Sequence, residues 1–256
     1  MVSVLFILVS LVTVGVRGRR ALSIDFTGGT EISYRLDGAA QPGIGDLRAA
    51  LQTAGYDDVR IGYKFAAAQE GRLLEVVLPD RSTDEAAFDL DGLQDTLSDV
   101  GENVQFTQVQ TNSVGGLVGA QFQRKAVTAG ILAAIAIIIY ISFRFELAYG
   151  IASVAALVHD VIIAGGIYLL IGRQLSLPVV AALLTIMGYS LNDTIVVFDR
   201  IREDLSLVRG KSYAEIINLS INQTLSRTVL TSVTTLLVVL TLFLFGGGAI
   251  NDFALV

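Results

Sequence analysis

Four predominantly apolar stretches of 18 residues or more leave this chain of 256 residues few places to fold other than a lipid bilayer. A hydrocarbon core about 30 Å thick is crossed by roughly 20 apolar residues in a helix. The stretches Ala126–Phe143, Leu147–Gly172, Pro178–Phe198 and Thr228–Phe245 meet or approach that length. Met1–Val16 is shorter and reads as a fifth span trimmed at its N-terminus. A signal peptide is the competing reading, but no basic flank precedes the stretch and no Ala-x-Ala site follows it. Apolar character resumes over Asn251–Val256, after a Gly246–Gly248 turn, as the start of a sixth span. The expected fold class is therefore a polytopic α-helical membrane protein, with five spans visible of six.

Charge is distributed unevenly. Between Ala21 and Gln123 there are 16 acidic and 6 basic residues, against 8 and 12 in the remainder. So acidic a segment repels phosphate backbones, which argues against a nucleic-acid partner. The chain has no cysteine, hence no disulfide or thiolate metal site, and its single histidine excludes a multi-histidine one. No nucleophile–base pairing or nucleotide fingerprint is present, so neither an enzyme nor a cofactor-binding protein is expected.

The segment 21–113 is patterned as a water-soluble domain. Ile32, Tyr34 and Leu36 alternate with polar neighbours, as do Val59, Ile61, Tyr63 and Phe65, and both read as half-buried strands. Leu74, Val76 and Leu78 form a third strand closed by Pro79, and Val104 with Phe106 opens a fourth. Two helical patterns interleave, Leu47, Ala50, Leu51, Ala54 and then Ala86, Leu90, Leu93, Leu97, the second opened by the capping box Ser82–Glu85. The order β-α-β-β-α-β is the ferredoxin-like arrangement. The pair Gly28-Gly29 reads as a turn with φ > 0 and not as a phosphate loop, because no Gly-Lys-Ser/Thr follows.

The remaining segment, 124–256, holds spans two to five and the start of the sixth. Arg144, Arg200, Arg202, Arg209 and Lys211 lie in loops on one side, which the positive-inside bias makes cytoplasmic. The soluble domain is then expected to be extracytoplasmic. At about 200–224 an amphipathic segment is expected at the cytoplasmic surface: Ser212–Glu215 is a capping box, and Tyr213, Ile217, Ile221 and Leu225 recur every four residues.

Ionisable side chains inside hydrocarbon cost at least about 2.5–3.5 kcal/mol each, so they mark function or a fixed pair. Span three carries His159 and Asp160, span four Asn192 and Asp193, and the start of span five Arg227. Asp193 precedes Arg200 by seven residues, roughly 10 Å along a helix, and Arg227 enters from the same boundary. A hydroxyl stripe, Thr231, Thr234 and Thr235, continues from Arg227. Burial raises a carboxyl pKa and a guanidinium lowers it, so changing the separation of Asp193 and Arg227 would move a proton. Asp193 and Arg227, with Asn192 and Thr231, are the expected proton pathway, and a static Asp193–Arg227 clasp is the alternative. His159 and Asp160 are a candidate relay element or a pair satisfied by neighbouring hydroxyls.

Three strings, IDFTGGT (Ile24–Thr30), GYSLNDTIVVFDRIRE (Gly188–Glu203) and TLSRTVLTSVTTLL (Thr224–Leu237), resemble the motifs of the SecF family of preprotein-export membrane proteins, part of the resistance-nodulation-division superfamily. LFLFGGGAINDFAL (Leu242–Leu255) is similar to that family's approach to its last span. The resemblance implies six spans and one ferredoxin-like periplasmic domain in the bacterial cytoplasmic (inner) membrane. It also implies pairing with SecD, as a separate subunit or a fused half, association with the SecYEG translocon, and contact with unfolded preprotein on the periplasmic side. Proton-motive force would drive late-stage export, with Na+ able to replace protons because a carboxylate serves either ion. By motif, the proton-linked residues would be Asp193 in NDT and Arg227 in SRT. The rival expectations are a proton-coupled exporter of the same superfamily and a non-transporting membrane scaffold.

Overall fold

Within a bilayer every backbone N–H and C=O must be satisfied inside the protein, and long helices do this with no help from neighbours. The computed structural model describes residues 2–37, 41–56, 58–66, 71–80, 90–100 and 104–256. In chain order its elements are α1 (Val2–Arg17), the short α2 (Ile24–Thr27), β1 (Gly29–Asp37), α3 (Ile44–Thr53), β2 (Arg60–Ala66), β3 (Gly71–Leu78), α4 (Leu90–Val100) and β4 (Gln105–Val114). They continue with α5 (Gly116–Arg144), α6 (Leu147–Leu170), α7 (Leu177–Leu207), α8 (Tyr213–Phe245) and α9 (Gly248–Leu255). Among the described residues, five helices are long and apolar enough to cross a membrane: α1 with the turn after it, α5, α6, α7 and α8.

The helices outrun the apolar stretches. Helix α5 begins ten residues before Ala126, and α7 runs past Phe198 to Leu207. Extending a helix costs little once nucleated, so polar residues at its ends stay helical beyond the hydrocarbon. The amphipathic segment before span five is part of the same effect. Helix α8 is a single 33-residue helix opened by the Ser212–Glu215 capping box, with no turn between its polar start and its apolar run. Its buried face is Ile216, Ser220 and Thr224; the Tyr213, Ile221 and Leu225 positions of the expected stripe are exposed.

Small residues set the helix crossings. Membrane helices gain no hydrophobic drive from meeting, so close backbone approach at Gly, Ala and Ser supplies the contact. A Cβ at Gly166 of α6 would overlap Ser10 of α1, and one at Gly150 of α6 would lie 2.7 Å from Ser142 Oγ of α5.

The expected βαββαβ order folds as an antiparallel sheet in the order β2-β3-β1-β4. Alternation decides the faces: Ile32, Tyr34, Ile61, Leu74, Val76, Leu78 and Phe106 point to one side, where Leu47 and Leu51 of α3 and Leu93 and Leu97 of α4 close the core. The Ser82–Glu85 box and Ala86 lie outside the described residues. Gly28 (φ 75°) and Gly29 (φ 126°) make the turn into β1 in a region other residues rarely adopt. A Cβ at Gly28 would also lie 2.6 Å from Gly116 Cα.

Replacing Gly166 with Val should therefore force α1 away from α6 and cost about 1–3 kcal/mol. Gly130→Ala, with nothing within 4 Å of its Cβ position, should leave stability unchanged or slightly higher. Reversible unfolding of the purified protein in mixed micelles measures both.

Candidate functional site

Helices α6, α7 and α8 pack side by side and carry every intramembrane polar residue singled out above. On α7, Tyr189, Ser190, Asp193 and Thr194 are three to four residues apart and share one flank. Toward α6, Ser190 Oγ donates to Asp160 Oδ2 at 2.6 Å, and His159 Nδ1 lies 2.9 Å from Asp160 Oδ1. His159 and Asp160 are thus brought together with a hydroxyl from the next helix. Toward α8, the buried Tyr189 hydroxyl faces Thr231, Ser232 and Thr235 without closing a hydrogen bond of good geometry. Asp193 is half-buried one turn further on, within electrostatic reach of that hydroxyl.

The threonine stripe is less of a relay than its hydroxyls suggest. Thr231 Oγ1 donates to the carbonyls of Arg227 (3.1 Å) and Thr228 (2.9 Å), and Thr234 Oγ1 to those of Leu230 (3.1 Å) and Thr231 (2.8 Å). With their protons engaged on their own helix, these residues offer lone pairs only. Among the described residues no ion pair joins Asp193 to Arg227, so the static clasp is not formed. Asn192 and Arg227 stand exposed on the outer surface of the bundle.

Two further polar constellations were not anticipated from the sequence. At the bundle end carrying Arg144, the Asp204 carboxylate is 2% exposed and is held by Arg200 (3.3 Å) and by Ser220 Oγ, which donates at 2.8 Å. This pins the α7–α8 hairpin. Asp199 pairs loosely with Arg144 at 3.6 Å in solvent. At the opposite end, Asp25 Oδ2 accepts the backbone N–H of Leu177 (2.8 Å) at the start of α7, and Asp80 Oδ2 that of Gly116 (2.6 Å) at the start of α5. Ser23 N–H donates to the Leu175 carbonyl and Leu175 N–H to that of Ala21, at 2.8 and 2.7 Å. The IDFTGG string is therefore the joint between the soluble domain and the spans. An acidic residue just before a Gly-Gly turn was the available signal, but nothing in the sequence names its distant partner.

Among the described residues these groups form a line of ionisable and hydroxyl side chains through three helices. Such a line suits transfer of a proton or small cation better than bond-making chemistry.

Comparison with known proteins places this geometry. Residues 93–256 match the family described as "Protein export membrane protein SecD/SecF, C-terminal". The protein translocase subunit SecF of Desulfurispirillum indicum is 44% identical over 99% of this chain and 80% of its own length. The crystal structure of SecDF, a translocon-associated membrane protein from Thermus thermophilus, superposes with a TM-score of 0.83 at 39% identity, covering 99% of this chain and 33% of that one. A second SecDF structure, in a "Super-membrane-facing form", gives 0.63 at 40% identity, covering 100% of this chain and 34% of that one. Identity and coverage barely differ between the two, so the gap in TM-score reflects geometry. The chain spans about a third of those SecDF polypeptides.

Ser220→Ala should cost about 1–3 kcal/mol, because the buried Asp204 carboxylate loses an acceptor bond that water cannot replace. Asp204→Asn together with Ser220→Ala should cost less than the sum of the single changes, as a double-mutant cycle on thermal unfolding would measure.

Proposed function

The chain belongs to the SecD/SecF family of protein-export membrane proteins, and on that premise we propose that it is the SecF part of an auxiliary Sec translocase unit. It works with SecD, as a separate subunit or a fused half, beside the SecYEG channel. It draws on the proton-motive force, or on a Na+ gradient, to help move unfolded preprotein late in export. It does so by displacing its soluble domain, and it has no enzymatic activity of its own.

The observation that carries this reading is the half-buried Asp193, one turn from the Tyr189 hydroxyl and, among the described residues, without an ion-pair partner. A carboxylate locked to a guanidinium has little freedom to exchange its proton, whereas one without a fixed partner has more. Arg227 acts by position. His159 and Asp160 extend the line through Ser190 toward α6. Asn192 and Arg227 point outward at membrane depth, where a SecD partner would supply the missing polar surface. Basic residues Arg144, Arg200, Arg202, Arg209 and Lys211 gather at the bundle end away from the soluble domain, which supports an extracytoplasmic position for that domain in the inner membrane. The two SecDF geometries support a family member with more than one stable arrangement.

Asp193→Asn and Arg227→Met should each abolish the gradient-dependent increment of preprotein export into membrane vesicles while leaving export without a gradient unchanged. If both assembled variants retain the full increment, the coupling reading is wrong and a non-transporting scaffold takes its place.

A further inference from the structure

The strand alternation that builds the core also builds a second face of the sheet, and that face is polar. Glu31 lies across from Val77 and Arg60, and Ser33 from Glu75 and Gly62, so Glu31, Glu75, Arg60 and Lys64 share one side. A polar sheet face is ordinarily solvated. Here it rests on the ends of α6 and α9. Lys64 Nζ contacts Glu75 directly, lies 3.4 Å from Asp252 Oδ2 on α9, and 4.0 Å from Glu31 Oε1. The other oxygen of Asp252 accepts from the Tyr168 hydroxyl (3.1 Å) on α6 and from Arg173 (3.3 Å) just after it. Side-chain exposures of 19% for Glu31, 16% for Glu75 and 14% for Asp252 show a contact largely closed to water.

The charges here do not match one for one. Glu75 and Asp252 have Lys64 and Arg173 as direct partners, and Glu31 is left at the edge of reach of Lys64. Arg60 is the next cation; its guanidinium donates to the Leu22 carbonyl at 3.1 Å and interacts with Glu31 and Glu75 through charge, without a direct ion pair to either. Asp25, the next anion, is engaged at the start of α7. The Glu31 and Glu75 carboxyls are diagonal neighbours on adjacent strands, and both reach Lys64 Nζ. Carboxylates only accept, so two such neighbours can hydrogen-bond each other only when one of them carries a proton.

We propose that Glu31 and Glu75 form a proton-binding site outside the spans, at the seam between the sheet and the ends of α6 and α9, and that its proton strengthens the docking of the soluble domain. The proton resides on Glu31. Burial first, then the hydrogen bond and charge of Glu75, push Glu31 up to about 8 against the opposing pull of Lys64. Burial acts the same way on Glu75 but is outweighed by the Glu31 hydrogen bond and by Lys64, which hold it below the ordinary carboxylate value. Lys64 is itself penalised by burial, yet Glu75, Asp252 and Glu31 together raise it, so it stays charged. When Glu31 releases its proton to solvent, a third anion joins Glu75 and Asp252 around the Lys64 ammonium, and no proton is left to bridge Glu31 and Glu75.

The sign follows from linkage. The docked state holds a proton that a hydrated Glu31 would release, so docking is firmest at acid pH and weakens as pH rises toward about 8, then levels off. Glu75 acts oppositely, through a contribution that disappears only below the ordinary carboxylate range.

Because the chain has no cysteine, spin labels introduced at Gln52→Cys on α3 and Leu170→Cys at the end of α6, both exposed positions, report the distance across the seam in the full chain reconstituted in nanodiscs. The population at longer distance should rise by up to about tenfold per pH unit between the ordinary carboxylate range and about pH 8, and not beyond. Glu31→Gln, whose amide can still donate to Glu75, should hold the short distance across the whole range. A wild-type distance distribution that is unchanged with pH overturns the proposal, and needs no variant to fold. So does a Glu31→Gln chain that opens as the wild type does. No gradient is applied, so this outcome is separate from the fate of the Asp193 reading.

Discussion

A helix that starts at a membrane surface presents unpaired N–H groups to a region where water is scarce, and the carboxylates of Asp25 and Asp80 answer that need for α7 and α5. Arg17 meets the converse need at the end of α6, donating to the carbonyls of Leu169, Gly172 and Arg173. Each acid complements a positive helix end and the guanidinium a negative one. Because Asp25 and Asp80 belong to the soluble domain's root, these caps also fix where that domain stands. The close approach of Gly28 to Gly116 follows from it, as does the placement of the sheet's polar face over α6 and α9.

The side of the bundle is less complete than its ends. Asn192 and Arg227 are exposed at positions that lipid would make costly, by at least about 2.5–3.5 kcal/mol for the arginine. Leu230, Leu236 and Leu237 nearby are exposed and content with lipid. A polar notch within an otherwise apolar surface calls for a protein neighbour, in keeping with a family in which SecD and SecF sequences are joined in one chain.

What could be read from the sequence was whatever a single element decides for itself. The spans, the strands carrying Ile32, Ile61 and Leu74, and the polar positions inside hydrocarbon all follow from periodicity and burial cost. What could not be read was which elements meet. Ser190 beneath Asp160, Ser220 beneath Asp204, and Asp252 against Lys64 depend on helix rotation and on contacts across up to 188 residues. The α8 stripe shows the same limit. Ile216, Ser220 and Thr224, which pack, also recur every four residues, one position away from the exposed Tyr213, Ile221 and Leu225, so spacing alone does not choose which stripe meets a neighbour.

The two titratable places share the same rods. Helix α7 runs unbroken from the Leu177 N–H held by Asp25, past Ser190 and Asp193, to Asp204. Sixteen residues separate Leu177 from Asp193, about 24 Å at 1.5 Å per residue. Helix α6 likewise carries Asp160 in mid-membrane and Tyr168 at the seam, one residue before Leu169, whose carbonyl Arg17 caps. A packed helix resists compression, so it shifts or tilts as a unit. Unbroken helix therefore joins Asp193 to the Leu177 N–H held by Asp25, and Asp160 to Tyr168, which hydrogen-bonds Asp252.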